Sequence, residues 1–477
     1  GGGMSSQPFF VEGVREALNS PGEFWVDRNK RILYLYPNVT AQVRTGDTLV
    51  LDLEAPRLHT LLRVGGMAER LVRNVTLRGL TFEFAAHTSL LPYEVPSPGD
   101  WAIHRGGALF VEGAEDVTVE SCRFSRVGGN AIFLSGYAKR TTVQRSEFAY
   151  TGDSAVAAVG RLRLNDGFTV DTFPEDTLIS HNHFREIGIR GKQSSALFSA
   201  LSCRTSFRSN VAYNGPRAGV NINDGFCGGH VISRNLLFNW VRETQDHGPV
   251  NTWNRAAYVQ DDGAGNPTTT PKWTRISNNF IMNGPTGNRN LGNLFPTVDN
   301  DDGSAYISVT SNFLVYGGAK NYLGNDKIWE DNVIAYPDRW SGDPCAQLWA
   351  GIGHHFQNNT CVTRADPIGL DSTVEGQECR IDFGDPTRQR FVAMAQNNTY
   401  FTRGAKWSFG CGNATSADHT FTFDEVRAHG WEAHSTVRDE ADATADHIVG
   451  AARRVLGIPG GGMTLLRRKA GQDILSE

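Results

Sequence analysis

Short segments in which apolar and polar residues alternate recur along the chain, and they share one pattern, approximately Val-x-polar-x-Asn-x-apolar. Eleven segments fit it, including "TLISHNHF", "HVISRNLLF", "TRISNNFIM" and "KIWEDNVIA". Alternation at a period of two is typical of strands with one buried face. The recurring Asn position is occupied by Leu80, Cys122, Ser146, Asn182, Asn210, Asn235, Asn279, Asn312, Asn332, Asn359 and Asn398.

The spacing of these positions, 20 to 44 residues, predicts coils of three short strands separated by loops of varying length. One such coil cannot bury its apolar face, whereas stacked coils can. The repeated asparagine suits a ladder in which amides of successive coils bond to one another. An antiparallel β-sandwich would instead favour Asn-Gly or Asp-Gly hairpins and would not need an internal asparagine. The pattern therefore predicts an all-β parallel β-helix.

Both ends of the chain depart from the repeat. Val11 to Pro37 predicts a short helix, a Pro-Gly turn and a β-hairpin, and Phe421 to Ser435 predicts a short helix that ends at Gly430. A solenoid needs capping elements over its open ends. We expect an N-terminal segment packed on the solenoid (1–60), the β-helix (61–420), and a capping helix with a tail (421–477).

Composition narrows the partners of the chain. The net charge of its 477 residues is −5 with no stripe of Lys and Arg, which argues against nucleic acid. No apolar run approaches the ~18 residues of a membrane span. The seven cysteines contain no Cys-x-x-Cys, so a zinc ribbon is not indicated. The oligomeric state stays open.

Five Asn-x-Ser/Thr sequons permit a secreted glycoprotein. A signal peptide is absent from this chain, so we expect it to have been removed or trimmed. The sequons lie at Asn38, Asn74, Asn358, Asn397 and Asn413.

Two acidic motifs lie in consecutive long coils. One is "RETQDHGPVNTWNR" with Asp246, and the other is "TVDNDDGSAY" with Asp299, Asp301 and Asp302. Two carboxylates facing one groove are the minimum for cleaving a glycosidic bond, and about 5 Å between them favours retention. Adjacent coils lie about 4.8 Å apart, so Asp246 and Asp301 or Asp302 could meet that distance. Like charges so close would also raise one pKa, as a general acid requires.

The same residues allow plainer interpretations. Asp, Asn, Gly and Ser dominate turns, so "DNDDGS" is equally typical of a turn. Clustered carboxylates and amides are also calcium ligands, although their spacing does not match an EF-hand loop. We predict no metal site and no cofactor, with calcium as the alternative.

Other residues of the first motif and the preceding coil are candidates for binding sugar. His247 could bind a hydroxyl or assist proton transfer, although a turn histidine is as common. The aromatic Trp253 could stack on a sugar or simply pack. Asn221 and Asn223 share one strand face and could serve a ladder instead. The remaining candidates are Asn251, Arg242 and Arg255, of which the two arginines could hold an anionic sugar or form surface ion pairs.

Several stretches resemble a large group of right-handed parallel β-helix carbohydrate-active proteins. They are "FFVEGVREALNSPGEFWVDRNKRILYLYP", "QDHGPVNTW", "VDNDDGS" and "TFDEVRAHGWEAHS", and they run in the group's order from about Phe9 to about Ile458. The nearest family is glycoside hydrolase family 141, which contains α-L-fucosidase and xylanase activities.

The resemblance implies a right-handed, pectate-lyase-like solenoid and two catalytic aspartates. Asp246 matches the first motif, and Asp302, or else Asp301, matches the second. The chain departs from the pattern at His247, where a small hydroxyl residue is usual, and at Asn251, where an aromatic is usual. These departures imply a different sugar or lost activity. The opening coils that usually precede "FFVE" are missing, which indicates a trimmed chain.

The sequence leaves three functions in competition. The first is a glycoside hydrolase that acts on a polysaccharide or oligosaccharide with two aspartates. The second is a polysaccharide lyase or C5-epimerase, for which His247 with Arg242 or Arg255 would supply a base and a cation. The third is a non-catalytic β-helix that binds glycans or serves as a structural surface protein.

Overall fold

The structure is a computed structural model. It describes residues 11–37, 43–45, 48–50, 53–96, 101–163, 169–224, 228–244, 247–254, 260–261, 267–268, 272–284, 296–337, 345–348, 353–363, 368–371, 394–402, 407–413, 416–428, 430–439 and 445–458. In these ranges no helix is long and apolar enough to cross a membrane. The chain divides into two compact units, 1–55 and 56–477.

The first unit is built from hairpins. After a 3₁₀ helix at Arg15–Ala17, strand β1 (Phe24–Asp27) pairs antiparallel with β2 (Ile32–Leu35). Asp27 Oδ1 accepts hydrogen bonds from the amides of Asn29 and Lys30, which fixes the turn that the sequence predicts there. A second hairpin joins β3 (Val43–Thr45) and β4 (Thr48–Val50).

The second unit is a right-handed parallel β-helix, as predicted, and each coil contributes to three long sheets. Within the described ranges, sheet 1 contains β5 (Leu62–Gly65), β8 (Leu109–Glu112), β11 (Ile132–Ser135), β15 (Val156–Val159), β21 (Leu197–Ala200), β24 (Val220–Asn223), β27 (Val250–Trp253), β32 (Val298–Asn300), β35 (Ala319–Asn321), β38 (Ala346–Leu348), β41 (Ile368–Asp371), β44 (Trp407–Asn413) and the antiparallel β45 (Ser416–Thr422). Sheet 2 contains β6 (Val72–Arg78), β9 (Ala114–Glu120), β12 (Ala138–Lys139), β13 (Thr142–Gln144), β18 (Pro174–Glu175), β19 (Leu178–Ser180), β22 (Ser206–Arg208), β25 (Val231–Ser233), β30 (Thr274–Ser277), β33 (Ala305–Thr310), β36 (Asn325–Glu330), β39 (His355–Gln357) and β42 (Met394–Gln396). Sheet 3 contains β7 (Thr81–Glu83), β10 (Arg123–Ser125), β14 (Glu147–Thr151), β20 (His183–Ile187), β23 (Val211–Tyr213), β26 (Leu236–Phe238), β31 (Phe280–Met282), β34 (Phe313–Val315), β37 (Val333–Ala335), β40 (Thr360–Val362), β43 (Thr399–Thr402) and β46 (Thr436–Asp439).

Two hairpins leave the coils between sheets 1 and 2. One joins β16 (Arg161–Arg163) to β17 (Thr169–Thr172), and the other joins β28 (Gln260–Asp261) to β29 (Pro267–Thr268).

Inward side chains of the three sheets form one continuous core. In sheet 3, the aromatic rings of Phe82, Phe124, Phe148 and Phe184 stack from coil to coil, with centroids 4.5 to 5.0 Å apart. Equivalent residues meet in register because parallel strands of adjacent coils align residue for residue. Stacking of like residues therefore follows directly from the repeat in the sequence.

The predicted amide ladder lies at the turn between sheets 2 and 3. Asn312 shows its geometry: Oδ1 accepts from the amide and the Nδ2 of Asn279, and Nδ2 donates to Asn332 Oδ1 and to the carbonyl of Ile276. Each bond of this set is 2.9 to 3.0 Å long. The residue before each amide has a positive φ, as at Ser311 (54°) and Asn278 (56°), which makes the tight turn.

The ladder ends at the C-terminal segment. Ser435 Oγ accepts from the amide of Asn398, and Glu432 Oε2 accepts from Asn398 Nδ2. Helix α1 (Phe423–Ala428) packs on β44 and β45 just before these residues. Helix α2 (Ala445–Leu456) packs on the outer face of sheet 3 against β34 and β37.

Cysteine pairing adds to this scaffold. Cys345 and Cys361 form a disulfide within one coil, and Cys203 is also disulfide-bonded. Cys122 is a buried free thiol at a ladder position.

Candidate active site

A polar row runs along the outer face of sheet 1 across five coils. Parallel register places Asn221, Asn251, Asp299, Lys320 and Gln347 side by side in that order. Their strand neighbours Val220, Val250, Val298, Ala319 and Ala346 point into the core. The row itself is only 0 to 3% exposed. Burying so many polar groups is costly unless they bond to one another.

Charge is balanced at the centre of the row by an ion-pair cluster. Lys320 Nζ lies 3.0 Å from Asp299 Oδ1 and 3.3 Å from Asp301 Oδ1. Asp299 is fully buried, whereas the Asp301 side chain is 21% exposed. The ammonium group therefore joins a buried carboxylate to one that reaches the surface.

The acidic turn Asp301–Gly303 follows directly after β32. Its backbone is tied to the preceding coil, because the Asp301 amide donates to the Thr252 carbonyl and the Asn254 amide donates to the Asp302 carbonyl. Gly303 adopts a φ of 73°, a left-handed conformation that favours glycine. Asp302 and Gly303 are partly exposed. The turn interpretation of "DNDDGS" is thus compatible with a functional one, since the turn holds two carboxylates at the surface.

A second lysine lies behind the turn, inside the β-helix. Lys327 is fully buried and donates to the carbonyls of Asn300 and Tyr322, at 3.1 and 3.2 Å. Burial lowers the pKa of Lys327 to about 7, while the charges of Asp299 and Asp301 oppose that shift. The interior there is polar, since the Thr252 hydroxyl contacts Asn300 Oδ1 and Ser304 Oγ.

Amide residues of the row form a short outward ladder of their own. Asn251 Nδ2 donates to Asn221 Oδ1 at 2.9 Å, and Asn221 Nδ2 donates to Asn223 Oδ1 at 2.7 Å. Trp253 pairs in register with Asn223 and is buried beside it. The ladder role that the sequence allowed for Asn221 and Asn223 is therefore the one seen, and it leads to the acidic cluster.

The first acidic motif is only partly described. Asp246 and Arg255 lie outside the described residues, so the separation of the Asp246 and Asp302 carboxylates stays a prediction. His247 lies just before β27, whereas Asp302 follows β32, so the two flank opposite ends of the sheet 1 strands. His247 Nε2 contacts Arg217 Nη2 at 2.5 Å.

Arg242 does not join the acidic cluster. Its guanidinium pairs with Glu186 at 3.4 Å, and its side chain is 44% exposed. This is the surface ion pair that the sequence allowed as the alternative to sugar binding.

Sequence reasoning missed Lys320, Lys327 and Gln347. Lys320 is 21 residues from Asp299 along the chain and belongs to no motif. The signal was available only through strand register, because the residue opposite Asp299 in the next coil is Lys320.

Oxygen ligands of the kind that calcium prefers surround Lys320 Nζ, namely the carboxylates of Asp299 and Asp301. The lysine ammonium occupies the position where such a cation would be coordinated. In the described ranges no group of three or more His, Cys, Asp or Glu residues has the arrangement of a metal site.

Comparisons with known proteins find solved structures that resemble this chain. A solved "Glycoside hydrolase" matches with a TM-score of 0.52 and 18% identity over 69% of this chain, which spans 60% of that chain. The A-module of the Azotobacter vinelandii mannuronan C-5 epimerase AlgE4 matches with a TM-score of 0.40 and 12% identity over 77% of this chain and 86% of that one. A mannuronic acid-specific polysaccharide family 6 lyase from human gut microbiota matches with a TM-score of 0.39 and 9% identity over 84% of this chain and 92% of that one. No family model and no curated protein matches the chain.

Proposed function

We propose that this chain is a carbohydrate-active enzyme, and specifically a glycoside hydrolase that acts on a complex polysaccharide or its oligosaccharides. The observation that carries the proposal is the acidic turn: Asp301 and Asp302 form the partly exposed end of a polar array that is otherwise buried. Buried, mutually bonded polar groups are costly to build, and they are typical of sites that hold a reactive group in place.

Asp302 is the proposed reacting carboxylate, and Asp246 is its proposed partner. Because His247 and Asp302 flank opposite ends of the strands, this pairing requires that the Asp246 carboxylate reach across to the Asp302 end. Asp301 bonds to Lys320 and so acts as a positioning residue, whereas the Asp302 backbone is held by Asn254. One aspartate would protonate the leaving oxygen while the other attacks the anomeric carbon or activates water. The partly exposed His247 is the proposed sugar contact of the first motif, whereas Trp253, Asn251 and Arg217 are buried and support the site from beneath; no cofactor is required.

The resemblance to glycoside hydrolase family 141 supports the same proposal and points to α-L-fucoside or xylan-type substrates. An extracellular location is proposed as well. It agrees with the exposure of the sequon residues Asn74, Asn358 and Asn397.

Lyase or epimerase chemistry has weaker support from the geometry. Such an enzyme needs a base beside the uronate C5 atom. Of the nearby lysines, Lys320 is held by two carboxylates and Lys327 points into the core. Arg242, one of the two cations named for this chemistry, is turned towards Glu186, and Nε2 of His247, the base named for it, contacts Arg217.

Substitution of the carboxylates tests the proposal. Asp302→Asn and Asp246→Asn should each lower kcat/KM about 10³-fold or more on a cleaved glycan, because each removes one half of the carboxylate pair. Unfolding free energy should change by less than about 1 kcal/mol for Asp302→Asn, since that side chain is partly exposed. Asp331→Asn, an exposed aspartate at the turn opposite sheet 1, is the matched control and should keep full activity.

Three results would contradict the hydrolase. Full activity in Asp302→Asn removes its reacting group. Products with an ultraviolet-absorbing 4,5-unsaturation indicate a lyase. Absence of turnover by the unmodified protein across a broad glycan panel favours a non-catalytic glycan-binding protein.

A further inference from the structure

A strap of chain covers the outer face of sheet 1 on one side of the polar row. It consists of residues 84–96 and 101–108 of the connection between β7 and β8, and its residue Trp101 stacks on Phe198 with ring centroids 4.9 Å apart. Trp101 and Ile103 are 1 and 2% exposed and pack with the outward residues Phe110 and Phe133. Over these coils the strap covers an apolar layer on the outer face of sheet 1.

The strap is anchored at several points, so it is part of the folded unit. Arg105 donates to Ser135 Oγ and to the Gly160 carbonyl, at 2.9 and 3.0 Å. Thr88 and Tyr93 both donate to Asp153 Oδ2, at 2.8 and 3.0 Å. Asp153 is itself only 4% exposed.

The strap meets the polar row at a barrier formed by Arg217 and Trp101, the Arg217–Trp101 wall. Arg217 lies over the ring of Trp101 at 4.8 Å and contacts His247. It is 8% exposed. Register places Phe198, the last aromatic under the strap, directly beside Asn221, the first residue of the polar row.

Beyond this wall the row offers no open trough either. From Asn221 to Gln347 every member is 3% exposed or less. Among the described carboxylates of the row and the turn that follows it, the accessible ones are at the acidic turn, where the Asp301 side chain is 21% exposed. A depression lined by Trp253, Asn254 and Ser304 lies beside that turn.

We propose that the site takes the end of a glycan chain, so that the protein is an exo-acting hydrolase releasing terminal sugars. An enzyme that cuts within a chain must bind sugars on both sides of the cleaved bond, and this requires surface open in both directions. Here the strap and the Arg217–Trp101 wall close the face of sheet 1 on one side of the acidic turn. This inference rests on the proposed hydrolase function.

The products of the unmodified protein test the inference. The probes are xylan, xylohexaose labelled at its reducing end, a fucosylated xyloglucan, and 4-nitrophenyl α-L-fucoside and β-D-xyloside. We expect single sugars or one short terminal unit from the first minutes, with the viscosity of the polymer falling by less than a tenth while reducing ends accumulate. Early appearance of mid-length fragments with a rapid loss of viscosity would refute end-directed action but leave the hydrolase intact. No cleavage of any probe or of a wider glycan panel would overturn the hydrolase and this inference together.

A strap variant tests the wall. Trp101→Ala should raise the share of internal cleavage several-fold, because it removes the ring that carries Arg217. Leu90→Ala, at a strap residue that is 83% exposed, is the matched control and should leave the product pattern unchanged. Melting curves establish which variants are folded. An unchanged product pattern in folded Trp101→Ala contradicts the role of the wall. If that variant does not fold, the products of the unmodified protein decide between end-directed and internal cleavage.

Discussion

Lys320 is the residue whose environment most strongly constrains the candidate site. It is 1% exposed and lies between Asp299, which is fully buried, and Asp301. A buried ion pair need not stabilise a fold in total, but removing one partner leaves an uncompensated charge. Lys320 is therefore needed to balance the charge of two neighbouring carboxylates.

Lys320→Met should lower the free energy of unfolding by about 3–5 kcal/mol, because Asp299 would remain buried without a counter-charge. Urea denaturation measures the change. Lys192→Met is the matched control: its pair with Glu243 is exposed, so about 1 kcal/mol or less is expected. The double variant Lys320→Met/Asp299→Asn should recover part of the loss. Equal losses in the two single variants would show that the buried pair has no special role.

At this scale the sequence predicted the acidic turn but not its partners. Asp299, Asp301 and Asp302 lie within four residues of one another, so their cluster is visible in "DNDDGS". Lys320 and Lys327 come from later strands and approach the turn only through coil stacking. The contacts of Arg242 were equally hidden, because Glu186 is 56 residues away.

The amide ladder is the element that sets the register of the coils. As at Asn312, an internal asparagine uses both its acceptor and its donors on neighbouring coils, so both polar atoms of its side chain are bonded. The ladder was predictable because its residue type and its strand context repeat together. The closing residues Glu432 and Ser435 were not, because they replace the asparagine with different chemistry.

Asn312→Ala should cost roughly 3–5 kcal/mol of unfolding free energy. The substitution removes the acceptor of the buried Asn279 amide, which costs about 1–3 kcal/mol. It also removes one hydrogen bond each from Asn279 Nδ2, Asn332 Oδ1 and the Ile276 carbonyl, at about 1 kcal/mol per bond. Thermal or urea unfolding measures it. Gln357→Ala, which removes two outward hydrogen bonds on sheet 2, one to Glu330 and one from Gln396, should cost about 1–2 kcal/mol, because these partners are partly exposed and can bond to water instead. Similar costs for both variants would mean that the ladder is not a principal source of stability.

For the whole molecule, stability depends on pH partly through a buried carboxyl at the end of the ladder. Glu432 is fully buried and accepts hydrogen bonds from Tyr400, Ser435 and Asn398. Burial raises the pKa of Glu432 in the folded protein, and the three hydrogen bonds oppose that rise. Folding therefore favours the protonated form.

A carboxyl with a raised folded pKa contributes its full stability below the unfolded pKa, about 4.3, and loses it as pH rises through the folded pKa. Glu432→Gln cannot titrate, so the slope of unfolding free energy against pH should be less negative above about pH 4.3 in this variant than in the unmodified protein. Urea unfolding at a series of pH values gives both slopes. Identical slopes would show that Glu432 has the same pKa folded and unfolded.

The global architecture was the most predictable level, and the covering of its surface was the least. Alternation and the repeated asparagine dictate a solenoid because both are local in sequence. The strap was not predictable, since Trp101 reaches Phe198 across 97 positions of the chain and follows no period. Which parts of a solenoid face stay open is decided by such long-range contacts.

In the amide ladder, the alignment of neighbouring coils does not depend on the number of residues that connect them. Neighbouring ladder positions are joined by as few as 20 residues, from Asn312 to Asn332, and by as many as 44, from Asn235 to Asn279, with the same bonds on either side. A coil therefore tolerates a long detour between two of its strands as long as the amide returns to its place. New loops can be gained, exchanged or lost around a constant scaffold, so proteins of this kind can change what they recognise without refolding.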